Sequence, residues 1–143
     1  MIAETNLKRF LDAQATDYDR ALAEIKNGHK QSHWMWYIFP QIAGLGVSET
    51  ARFYAIKDLQ EAHAYLEHPV LGSRLIEISK ALLGVEGKTA NQILGSIDEL
   101  KLRSSMTLFS ALTNTNPVFQ AVIDKFFDGQ DDPKTRSLLN QQT

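Results

Sequence analysis

Three polar residues stand where a helix should be apolar. From Ser96 the chain reads SIDELKLRSSMTLFSALT, with apolar residues at the three- and four-residue steps of an amphipathic helix. At about 100° per residue, with Asp98 at zero, Lys101 and Ser105 fall at about −60° and about −20°. That places all three inside the arc of Leu102, Met106, Leu108, Phe109 and Leu112. Glu99, Arg103, Thr107 and Ser110 gather opposite, on the expected solvent face. Burying a carboxylate and an ammonium costs several kcal/mol unless they pair and find further hydrogen bonds. Two readings follow. Asp98 and Lys101 form a buried pair that sets helix register, with Ser105 bonded to backbone, and truncating Lys101 then costs roughly 3–5 kcal/mol. Alternatively, the stripe lines a polar pocket and presents a carboxylate, an amine and a hydroxyl to a ligand.

A second cluster lies upstream. His33 stands beside Trp34, Trp36 and Tyr37, with Lys30 just before it, so both tryptophans and one of the four histidines fall within four residues. Aromatic faces stack on planar ligands and an ammonium holds an anion, yet such side chains also make up the core of small domains. One cavity wall satisfies both readings. A chain of this size builds a single core, so the His33/Trp34/Trp36 segment is expected beside the Asp98–Ser105 stripe. Asp98 then serves as base or electrostatic stabiliser, His33 as acid or base, and Lys101, Lys30, Ser105 and Arg74 as ligand contacts, with Trp34 and Trp36 as the stacking faces.

Other chemistries find less support. His29 and His33 have the i,i+4 spacing of zinc ligands, but Lys30, Gln31 and Ser32 supply no zincin glutamate, and no metal is expected. Gly44-Leu45-Gly46 is too short for a phosphate loop, and no Lys-Ser or Lys-Thr pair follows it. Ser104-Ser105 has no histidine nearby in sequence for a nucleophile–base pair.

Composition sets the frame for these residues. The 143 residues fit one domain, 43% are hydrophobic and 22% charged, a globular rather than disordered balance. Fifteen Lys and Arg against seventeen Asp and Glu give a net charge of −2, unlike the concentrated basic surface of a nucleic-acid binder. Cysteine is absent, which excludes disulfides, thiolate nucleophiles and Cys-ligated zinc. The segment MIAETNLKRFLDAQ is charged and amphipathic rather than a signal peptide, and no apolar run approaches the ~20 residues of a membrane span. A cytoplasmic location is expected, with no cofactor and no nucleic-acid or membrane partner.

The elements that must position the clusters are helical throughout. Leu7, Phe10, Leu11, Tyr18, Ala21, Leu22 and Ile25 share a helical stripe that Thr16 interrupts and Gly28 ends. Ser32–Phe39, closed by Pro40, is read as a buried helix. Ser48, Asp58 and Thr89 cap helices, and another starts at His68-Pro69 and runs to Leu83. Ser96 opens the long helix to about Thr113, with Glu99 at its capping-box position. Asn116-Pro117 and Asp132-Pro133 begin the last two. The expectation is one all-α domain over residues 1–143, with about seven to nine short helices in an irregular array rather than a simple bundle.

The run Lys30-Gln31-Ser32-His33-Trp34-Met35-Trp36-Tyr37-Ile38-Phe39-Pro40-Gln41, followed by Gly44-Leu45-Gly46, resembles the signature of domain-of-unknown-function family 1810. The likeness continues through Glu61-Ala62, Tyr65-Leu66, His68-Pro69, Leu71-Gly72 and Arg74-Leu75. It closes on Asp98, Lys101 and Ser104-Ser105-Met106-Thr107-Leu108-Phe109. It implies a small, all-helical bacterial protein without an established activity. Members often carry the label calpastatin, but calpastatin segments are disordered and have a Thr-Ile-Pro-Pro-x-Tyr-Arg core, which this chain lacks. A looser likeness is to the all-helical family that removes ADP-ribose from modified nucleotides, carried by aromatic residues with Asp and Lys on helices. It transfers no catalytic residue. The expected function is binding of a small polar or anionic metabolite, such as a nucleotide or ADP-ribose derivative, with hydrolysis as the reaction type. The alternative is a non-catalytic helical interaction module, which predicts an exposed apolar groove and no cavity near Asp98.

Overall fold

In the computed structural model, which describes residues 6–142, the chain forms helices α1 (Lys8–Lys26), α2 (Met35–Ile38), α3 (Glu49–Tyr54), α4 (Leu59–Glu67), α5 (Leu71–Leu83), α6 (Ala90–Leu94), α7 (Ser96–Ser110), α8 (Val118–Phe127) and α9 (Pro133–Asn140). Among the described residues the sole β pairing is an isolated parallel bridge between Ile42 and Ile56. The all-α expectation holds. Residues 1–5 of the N-terminal segment lie outside the described residues. No described helix is long and apolar enough to cross a membrane.

Side-chain caps start four of the nine helices among the described residues. Ser48, Asp58, Thr89 and Asp132 each accept a backbone N–H three residues on, which satisfies a donor that the helix leaves orphaned. Gly28, at φ +73°, ends α1. Its N–H and that of His29 return to the carbonyls of Ile25 and Glu24 at 2.8 and 3.0 Å, the paired bonds of a Schellman turn. Thr16 does not interrupt α1. It is exposed, and its small propensity cost is outweighed by the buried stripe of Phe10, Tyr18, Ala21 and Ile25.

Three other expectations shift. The Ser32–Phe39 helix is a single turn, Met35–Ile38, because the carboxylate of Glu24 binds the backbone before it. The helix after His68-Pro69 starts at Leu71, with His68 Nδ1 accepting from the Val70 and Leu71 N–H groups. Ser96 is already helical rather than the cap, since Gly95 at φ +91° makes the corner between α6 and α7. Glu99 accordingly accepts from Asn91 Nδ2 instead of closing a capping box.

An aromatic column ties the elements into one core. Phe10, Tyr65, Phe109 and Phe119 lie in succession with ring centroids 5.0, 5.5 and 5.8 Å apart, linking α1, α4, α7 and α8. α5 packs between α1 and α8, while α7 touches α4, α6, α8 and α9. Such central placement corrects the expected solvent face of α7. Thr107 is fully buried and accepts the Asp132 N–H, and Arg103 donates to the Gln130 and Asp131 carbonyls. The chain entering α9 covers that side, and Ile97 and Leu100 take the exposure instead.

Candidate functional site

The loop that leaves α1 is built around one carboxylate. Glu24 accepts the N–H groups of Gln31 at 2.8 Å and Ser32 at 3.0 Å, the Ser32 hydroxyl at 2.6 Å and the Trp34 indole N–H at 2.8 Å. Burial alone pushes its pKa up, but the bonds from Ser32, Gln31 and Trp34 outweigh burial and hold the carboxyl at about 2. With the loop so bound, the Lys30 N–H reaches the Ile93 carbonyl at 2.8 Å. This contact sets Lys30 beside the α6–α7 corner.

At that corner Lys30 Nζ lies 2.8 Å from Asp98 Oδ2, and Lys101 Nζ lies 3.5 Å from Asp98 Oδ1. Both ammonium groups also sit over indole rings. Lys30 is 5.0 Å from the Trp34 centroid and Lys101 is 4.8 Å from that of Trp36. Lys30, His33, Trp36, Gly95, Asp98 and Lys101 line one open cavity of about 440 Å³. Asp98 and Glu99 both lie in the first turn of α7, where the positive end of a helix dipole favours a carboxylate.

The structure thus brings together five of the expected residues: Lys30, His33, Trp36, Asp98 and Lys101. Trp34 is buried behind them, 1% exposed, and acts as the donor to Glu24 rather than as a ligand face. Arg74 lies apart on α5, stacked on Tyr18 and bonded to Gln14. Ser105 is fully buried one turn below Lys101, and its hydroxyl has no hydrogen-bond partner among the described residues. The Asp98–Lys101 pair forms, but the Lys101 side chain is 22% exposed against 8% for Lys30, so the more buried lysine is the one distant in sequence. Among the described residues no group of three or more Asp, Glu or His side chains is arranged to hold a metal.

Sequence reasoning missed Glu24, Gln14 and the buried Arg9–Glu61 pair at 3.2 Å. A signal existed for the first two. Gln14 and Glu24 sit within the buried stripe of α1, the same polar intrusion that marks Asp98 on α7.

A solved structure shares this architecture. The crystal structure of the conserved hypothetical protein Rv1873 from Mycobacterium tuberculosis is similar to this chain at 45% identity, with a TM-score of 0.93, over 94% of this chain and 96% of that one. No curated protein matches this chain. The family model described as "Protein of unknown function (DUF1810)" matches residues 4–139. Its match spans the loop, the α6–α7 corner and the aromatic column alike, and the chain belongs to the DUF1810 family.

Proposed function

We propose that this chain binds a small anionic metabolite in the cavity between the His33–Trp36 segment and the first turn of α7. One observation carries the reading: two ammonium groups, Lys30 and Lys101, share the single carboxylate of Asp98 at the wall of one cavity. That wall keeps an excess of positive charge in a partly desolvated place, where a phosphate or carboxylate gains most. Trp36 offers a ring to a planar group beside the anion. Nucleotides and ADP-ribose derivatives combine both features and are the first candidates. Hydrolysis is the reaction to test first, with Asp98 as base or electrostatic stabiliser, Lys101 as anion contact and His33 as acid or base. A cytoplasmic setting, where such metabolites abound, belongs to the same reading. The cavity beside Asp98 supports this function over a purely structural interaction module.

Thermal unfolding of the full chain with AMP, ADP-ribose or inorganic phosphate tests it, because a ligand of the folded state raises the midpoint. A rise with at least one anion, reduced in Lys101→Ala and Trp36→Ala, is expected. No rise with any of the three at millimolar concentration would overturn the reading. For the hydrolytic step, product formation should disappear in Asp98→Asn and His33→Ala while binding persists.

A further inference from the structure

The cationic cavity has an apolar neighbour. Across the ridge made by Ile97 and Lys101 lies a second open cavity of about 220 Å³, walled by Leu45, Ala51, Ile97 and Leu100. Ile97 and Lys101 line both spaces. They stand i,i+4 on α7, neighbours on one face of the helix, and form a wall common to both spaces. Ile97 is 72% exposed and Leu100 60%. Single exposed apolar side chains are ordinary, but these two meet in a hollow that adjoins paired ammonium groups. Lys101 bridges the two spaces chemically as well. Its ammonium lies over Trp36 and near Asp98, while its methylene stem supplies apolar surface along the ridge.

We propose that the ligand is an amphipathic anion, with its charged head at Lys30 and Lys101 and its planar or aliphatic body laid across Ile97 onto Leu45 and Leu100. The proposal rests on the cationic-cavity reading and adds the ligand class: an anion bearing an aryl or acyl group, rather than a free inorganic anion or a bare sugar phosphate. Charge complementarity fixes the head, and the wall that the two spaces share at Ile97 and Lys101 fixes where the apolar body must cross.

The experiment is an NMR titration of the full chain with inorganic phosphate, phenyl phosphate and phenol. Inorganic phosphate should move the resonances of Lys30, His33 and Lys101 and leave Leu45 and Leu100 in place. Phenyl phosphate should also move Leu45 and Leu100, and bind tighter by about tenfold or more. Leu100→Asn, at a residue that lines only the apolar space, should return phenyl phosphate toward the affinity of inorganic phosphate and leave the latter unchanged. If that variant fails to fold, Leu100→Ala carries the same test with a loss of at least about threefold for phenyl phosphate. Phenyl phosphate no tighter than inorganic phosphate, or an advantage that survives these substitutions, would overturn the two-part ligand and leave the cationic cavity standing. Failure of both phosphates to move Lys30 and Lys101 would remove the cationic cavity and the proposal with it. In that case phenol shifts at Leu45 and Leu100 would mark a purely apolar site.

Discussion

Lys30 Nζ lies 2.8 Å from Asp98 Oδ2, joining the loop after α1 to the first turn of α7, and it is the more buried of the two lysines that Asp98 holds. Asp98→Asn leaves that ammonium buried without a counter-charge and should cost about 3 kcal/mol. Lys101→Met leaves the Lys30–Asp98 pair intact and removes a more exposed partner, so it should cost about 1 kcal/mol or less. Urea unfolding of the two variants checks the order. Equal losses would show that Asp98 depends on both lysines alike.

Stability should depend on acid through Glu24. Its carboxyl titrates at about 2 in the folded chain against an ordinary 4.5. Because the folded value is depressed, the unfolded chain takes up the proton first as pH falls. The contribution is therefore complete above about 4.5 and is lost progressively down to about 2. Glu24→Gln should be less stable by about 2 kcal/mol near neutrality and should fall less steeply between about pH 5 and about pH 3. Parallel stability profiles for the two proteins would assign the acid response to other carboxyls.

Gly72 is fixed by proximity rather than by backbone angle. A Cβ there would stand 1.9 Å from the Leu66 carbonyl oxygen, where α4 and α5 approach. Gly72→Ala must push the helices apart and should cost about 3 kcal/mol. Gly84→Ala is the control. Its Cβ meets nothing closer than 3.4 Å, and its φ of −80° suits alanine, so the change should stay within about 0.5 kcal/mol. Calorimetric midpoints decide between them.

Ser105→Ala should hold stability or raise it by up to about 1 kcal/mol, because it removes a buried hydroxyl that no described group satisfies. Ligand affinity should be unchanged in this variant and in Arg74→Gln, since neither residue lines the cationic cavity. Trp36→Ala should weaken binding about tenfold or more. Loss of binding in Ser105→Ala, measured by titration calorimetry, would return that hydroxyl to the site.

Helix ends were legible because capping is local. Ser48, Asp58, Thr89 and Asp132 act on donors three residues away, within reach of a sequence motif. The face of α7 was legible only in part. A helical wheel assumes one wet side, and Thr107 and Arg103 met the chain entering α9, which no local pattern announces. The pairing of Lys30 with Asp98 joins two elements through the Lys30–Ile93 backbone bond, a tertiary contact. By contrast, the meeting of His33 and Trp36 with Asp98 and Lys101 followed from the economy of a single core: two polar intrusions in a small domain have few places to go.

The four donors converging on Glu24 also set a time scale. Lys30 and His33 ride on a loop fastened to α1 at Gln31, Ser32 and Trp34 and to α6 through the Lys30 N–H. A wall fastened at both ends is preorganised, so an arriving anion meets ammonium groups already in place and pays little ordering entropy. Association should then be governed by diffusion and charge, quickening at low ionic strength, with no slow closing step.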